Sequence, residues 1–255
     1  MNNYKVRMSF RGTNYHGYQK QDSGIPTVQQ TVEEGIFCLL GERTEIFGCS
    51  RTDAGVHANE YVFSMKLDST ISERGVVFGL NGVLPKDISI LSCERADDDF
   101  HARYHCRGKE YVYLIHNSEI RNPFYEDTLY RSWYPIDDKK LNIACKDFIG
   151  THDFAAVRSV GTDVKSTVRT VYDYKVERDG DLISLRVSAN GFLYNMARAM
   201  AGTCVYAAEG KFPPEAVAQI LLNGDRTAAG PTVPPGGLYM TQLWYDDGKA
   251  VFHVG

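Results

Sequence analysis

The stretch Phe47-Gly48-Cys49-Ser50-Arg51-Thr52-Asp53-Ala54-Gly55-Val56-His57-Ala58 constrains this chain more than any other. Thr44 to Phe47 has the apolar character of a strand end, and Glu60-Tyr61-Val62-Phe63-Ser64-Met65 has the aromatic and β-branched character of a second strand. Between them an arginine, a threonine, an aspartate and a histidine are crowded among small residues, which let a backbone turn tightly and a ligand approach closely. A loop held between two strands is a rigid mount for chemistry. Asp-Ala-Gly is also an ordinary turn sequence, so the loop needs support from the rest of the chain.

The order of elements around this loop sets the fold expectation. Tyr4 to Phe10 alternates as a strand, and Arg11 to Gln19 is a glycine-punctuated loop. Thr27 can cap a helix running from Val28 to about Leu40, with Gly41 placed to end it. Ser72 to Leu80 predicts a second helix broken by Asn81-Gly82, and Ile88 to Arg95 a further strand. Strand, helix, strand, strand, helix, strand is the order of a ferredoxin-like sandwich. The second half repeats a similar order. Lys109 to Ile115 alternates, so Tyr111 and Tyr113 share a face. Arg121 to Pro135 is irregular, and a helix follows Asp137 to about Ile149. Thr167–Arg178 and Leu182–Ser188 form a hairpin, and Phe192 to about Glu209 and Pro213 to about Leu222 are helices. Leu238 to Tyr245 is a final strand. The expectation is an α/β (α+β) protein of two ferredoxin-like lobes, residues 1–100 carrying the loop and 101–255 completing a cleft, with a joined, mainly antiparallel sheet flanked by helices.

A net charge of −4 gives no support for a nucleic-acid partner, so any RNA-binding face must gather its basic residues against the global sign. Arg103, Arg107, Lys109, Arg158, Lys165, Arg169 and Arg198 have aromatic neighbours and could supply phosphate contacts. The N-terminus lacks the apolar core of a signal peptide, and no apolar run approaches a membrane span. The six cysteines are scattered without a CxxC pair, as expected of reduced cytoplasmic thiols. His101 and His105 are four apart, but the segment offers no third ligand, so no metal site is expected.

Gly48 to Ala58 resembles the signature of the TruA family of tRNA pseudouridine synthases. Four further stretches agree in order: Asp22 to Glu33 with its Pro-Thr-Val-Gln core, Phe100-His101-Ala102-Arg103 followed by Lys109 to Tyr113, Asn190 to Arg198, and Gly230-Pro231-Thr232 with Gly237-Leu238-Tyr239. Arg11 and Tyr18 depart from it, standing where the family usually carries an acidic residue and a tryptophan. The resemblance implies a pseudouridine synthase fold and isomerisation of uridine in the anticodon arm of tRNA at positions 38 to 40, without metal or organic cofactor, by a homodimer. It further implies Asp53 as the nucleophile, attacking either C6 of the base or C1′ of the ribose, and Arg198 as its charge partner. Tyr111 would contact the target base, and Arg51 is expected to hold the extruded RNA. His57 reads as loop support rather than a catalyst. Two other classes compete: a nucleoside hydrolase using Glu60 or Asp163 as a second carboxylate, and a non-catalytic RNA-binding module.

Overall fold

Thr27 starts the first helix as its hydroxyl allows. In the computed structural model, which describes residues 1–21, 24–161 and 164–245, its Oγ1 accepts the Gln30 N–H and opens α1 (Val28–Leu40). Val28, Val32 and Ile36 form the buried face of α1, and Gly41 ends it at φ 72°, a left-handed conformation that glycine adopts without penalty. The helix lies between β1 (Asn2–Phe10) and the pair β2 (Ile46–Gly48) and β3 (His57–Leu67). α2 (Glu73–Val83) and β4 (Ile88–Arg95) follow. β1 pairs antiparallel with both β3 and β4, and β2 pairs antiparallel with β3, giving the order β4-β1-β3-β2 of a ferredoxin-like sandwich.

The chain divides into two compact units. The first holds Met1–Arg107 and takes back the chain from Met240, and the second runs from Gly108 to Tyr239. The second unit contains most of β5 (Cys106–Asn117), then β6 (Tyr130–Ser132), α3 (Asp138–Lys146), β7 (Gly150–Asp153), β8 (Val168–Asp179), β9 (Leu182–Ala189), α4 (Met196–Ala208) and α5 (Ala216–Asn223). β9 pairs antiparallel with β5 and β8, β7 pairs with β8, and β6 runs parallel to β5. The order β5-β9-β8, with α3 before β8 and α4 after β9, matches β1-β3-β2 with α1 and α2 in the first unit. The relatedness of the two halves, invisible as a residue repeat, is therefore present as topology. β10 (Leu238–Tyr245) ends the described chain and neighbours β3.

Several helix boundaries differ from expectation: α3 ends at Lys146 rather than Ile149 and α5 starts at Ala216 rather than Pro213, and two further differences have a clear physical cause. Asn81-Gly82 does not break α2, because the Asn81 side chain satisfies the Ile90 backbone at both ends, donating to its carbonyl at 2.9 Å and accepting its N–H at 2.8 Å. A turn former is thus kept helical by tertiary hydrogen bonds. α4 begins at Met196 rather than Phe192, since Asn195 sits at φ 60° and cannot continue a right-handed helix. Asp137 caps α3 as expected, accepting the amides of Lys139 and Lys140. Among the described residues no helix is long and apolar enough to cross a membrane.

Candidate active site

The loop 49–56 between β2 and β3 is held from beneath by the 11–18 loop. Gly12 N–H donates to His57 Nδ1 at 2.9 Å, and His57 is buried at the first position of β3. This is the loop-ordering hydrogen bond expected of it. Tyr18 N–H donates to the Thr52 carbonyl and Gly55 N–H to the Tyr15 carbonyl, both at 3.2 Å. The Tyr61 hydroxyl donates to the Ser50 carbonyl. The approach is close enough to demand particular glycines: a methyl at Gly12 would fall on the Val56 carbonyl, and Gly17 (φ 81°) packs its backbone on Thr52. Tyr18 stacks on Tyr61 with ring centroids 4.5 Å apart, which gives the loop an aromatic floor. Burial pushes the Tyr18 phenol well above its ordinary range and keeps it protonated. The result is a tight turn, with Val56 N–H donating to the Asp53 carbonyl at 3.2 Å, that leaves Asp53 half-buried and Arg51 exposed.

The other two candidates lie in the second unit. Tyr111 is 5% exposed on β5, opposite Val187 of β9, with the Phe192 ring meeting it edge-on at 4.9 Å. Its face neighbour Tyr113 donates its hydroxyl to the Pro234 carbonyl at 2.8 Å. Burial drives the Tyr113 phenol upward, partly opposed by the positive charge of Arg198. Arg198 occupies the first turn of α4. That helix is buried on almost every side, and Arg198 and Tyr206 are its two residues that are not. A half-buried guanidinium on an otherwise apolar helix differs from an ordinary solvated arginine, because its charge is held where solvent screens it less. Its Nε–H donates to the Val233 carbonyl and its Nη1 to Asn195 Oδ1, both at 2.8 Å. Arg51 and Asp53 thus share one loop of the first unit, and Tyr111 and Arg198 belong to the second.

The remaining sequence candidates divide. Arg103, Arg107 and Lys165 are exposed, whereas Arg169 folds back onto the Ser166 and Val168 carbonyls. His101 and His105 serve their own turn: each Nδ1 accepts a backbone amide, from Arg103 and His101 respectively. Glu60 is paired with Arg7 at 3.2 Å, a poor state for a hydrolytic base, and Asp163 lies outside the described residues, as does Asp22 of the segment leading into α1. Sequence reasoning did not single out Asn195, nor the loop 230–233 that supplies the Val233 carbonyl. The signals were present in Asn195, three residues before the arginine, and in Gly202 facing Gly230, but both read as parts of a motif without a stated job.

A family model described as tRNA pseudouridine synthase matches residues 144–246. The chain is similar throughout to tRNA pseudouridine synthase A of Thermoanaerobacter sp. (strain X514), 40% identical over 245 residues, covering 96% of this chain and 100% of that protein. It is likewise similar to tRNA pseudouridine synthase A 2 of Clostridium perfringens, 43% identical with the same coverage. A chain of the archaeal box H/ACA sRNP Nop10-Cbf5 complex overlaps with a TM-score of 0.39 at 14% identity, covering 93% of this chain and 47% of that one, too loosely to argue from.

Proposed function

The chain belongs to the tRNA pseudouridine synthase A family, and from that premise we propose that it isomerises uridines at positions 38 to 40 in the anticodon arm of tRNA, with Asp53 as nucleophile. The coarser statement, a pseudouridine synthase and hence an isomerase acting on tRNA, follows from the family. The finer one is supported chiefly by the Asp53 loop, whose backbone is fixed by three hydrogen bonds from the surrounding first unit, with a fourth at the adjoining His57 side chain, while Asp53 stays half-buried.

The chemistry needs no net oxidant or co-reactant. The N-glycosidic bond breaks, the uracil turns in place, C5 bonds to C1′ while its proton leaves to solvent, and N1 takes up a proton in exchange. A carboxylate adding to C6 or C1′ carries the intermediate. Arg198 would keep Asp53 ionised when RNA excludes water, and Tyr111 would stack on the base. Arg51, exposed two residues before the nucleophile, would grip the extruded strand. The target uridine must leave its stack to reach a loop of this kind. A homodimer gripping one tRNA, in the cytoplasm, completes the proposal.

The direct test is incubation with tRNA carrying 5-tritiated uridine. Tritium release without free uracil is expected. Absence of release on any tRNA overturns the proposal, and free uracil would redirect it to a hydrolase. Binding is also expected to be electrostatic despite the net charge of −4. The tRNA Kd should weaken about 100-fold between roughly 50 and 200 mM salt, as expected for about four phosphate contacts. A flat salt response measured by filter binding would remove the role given to Arg103, Arg107 and Lys165.

A further inference from the structure

We propose that Asn195 is a positioning residue for Arg198, fixing the guanidinium from a backbone conformation that few residue types hold. The inference rests on the reading of Arg198 as the charge partner of Asp53. Asn195 stands at the N-cap of α4 with φ 60° and ψ 5°. Among the described residues the one other non-glycine residue at positive φ is Asp127. Asparagine tolerates this region better than most residues.

An asparagine at a helix N-cap ordinarily turns its amide oxygen onto an early amide of its own helix. Asn195 makes no such bond. Its Oδ1 instead accepts Arg198 Nη1 at 2.8 Å, and its Nδ2 donates to Ser159 Oγ at 2.9 Å. The guanidinium has donors only, which fixes the oxygen of the amide on that side. Ser159 is tied to the same turn a second time, its N–H donating to the Tyr194 carbonyl at 3.0 Å.

With Nε held by Val233 and Nη1 by Asn195, the planar group is gripped at two of its nitrogens, which sets its plane as well as its place. A group that must meet charge at a reacting centre is most effective when oriented beforehand. The turn accepts a left-handed residue and forgoes a helix cap, and what it gains is a fixed arginine.

Asn195→Gly tests this, because glycine keeps φ 60° without steric cost while both side-chain bonds are lost. Tritium release would be followed for wild type, Asn195→Gly, Arg198→Ala and the double variant. Asn195→Gly is expected to lower kcat about 10- to 100-fold, the scale of a small misplacement at a reacting centre. KM for tRNA should stay within about threefold. The double variant should be no slower than Arg198→Ala alone, since nothing is left to position. Ser159→Ala, which removes one supporting bond, should lower kcat about fivefold and serves if the glycine variant does not fold. Wild-type kcat in both Asn195→Gly and Ser159→Ala, or losses that multiply in the double variant, overturn the positioning role while Arg198 keeps its own. Wild-type kcat in Arg198→Ala would instead remove the reading beneath it.

Discussion

Asp53→Asn is expected to bring tritium release to background, a loss of at least about 10⁴-fold, as when a covalent nucleophile is removed. The tRNA Kd should change by no more than about threefold. The reason for so clean a separation is local. The loop is held by Gly12 to His57, Tyr18 to Thr52, Gly55 to Tyr15 and Tyr61 to Ser50, and none of these bonds uses the Asp53 carboxylate. The turn that closes on Asp53 uses its backbone carbonyl, which every substitution keeps. An amide of the same shape keeps all of these bonds and takes away the carboxylate proposed as the nucleophile. Binding, which the proposal assigns to exposed basic residues such as Arg51 and Lys165, should persist. Release at the wild-type rate by Asp53→Asn would show that another group attacks. A collapse of tRNA affinity would show that the carboxylate organises the loop.

What the sequence disclosed and what it withheld divide along a physical line. Features written in short-range chemistry were legible. Thr27 and Asp137 are caps because a side-chain oxygen reaches amides two or three residues on. β4 and β10 were bounded correctly because alternation and flanking turns are local. The clustering of Arg51 and Asp53 on one loop was visible for the same reason. Features decided by distant partners were not legible. Asn81 reads as a breaker until Ile90 is seen to satisfy it from nine residues away. Phe192 to Tyr194 look helical until Asn195 is placed at φ 60° with its amide spent on Arg198 and Ser159. The glycines that matter most were read as turn residues or helix content. Gly12 and Gly202 are required by carbonyls of other segments, and sequence spacing carries no trace of that. Tyr111 and Arg198 came from motif resemblance, since a buried strand tyrosine and a helix arginine have ordinary structural uses.

Gly202→Ala is expected to destabilise the protein by about 3 kcal/mol, the upper part of the range for overpacking a close contact. Helix propensity alone argues the opposite, because alanine is preferred to glycine inside a helix by about 1 kcal/mol. The tertiary contact decides the sign. A methyl at Gly202, in the middle of α4, would fall on the Pro231 carbonyl, which is backbone and cannot swing aside as a side chain would. Nor is that backbone loose. Gly230 N–H donates to Thr203 Oγ1 at 3.0 Å, Thr203 in turn donates to the Ala199 carbonyl at 2.7 Å, and Arg226 holds the Gly230 carbonyl and the Thr232 hydroxyl. Gly230 needs its own missing side chain, since a methyl there would meet the Gly202 carbonyl and the Thr203 backbone. Two glycines thus let the 230–233 loop lie directly on α4, and that seating delivers the Val233 carbonyl to Arg198 and the Pro234 carbonyl to Tyr113. Forcing the loop off α4 should lower Tm by about 6 to 12 °C for a chain of this size and slow catalysis through Arg198. Gly82→Ala is the internal control. It lies inside α2 with open space around the position, so the same substitution there should leave Tm unchanged or raise it slightly. Thermal unfolding of the two variants side by side checks both signs. A Gly202→Ala protein as stable as wild type would mean that the loop does not rest on the helix as closely as the glycine pair requires.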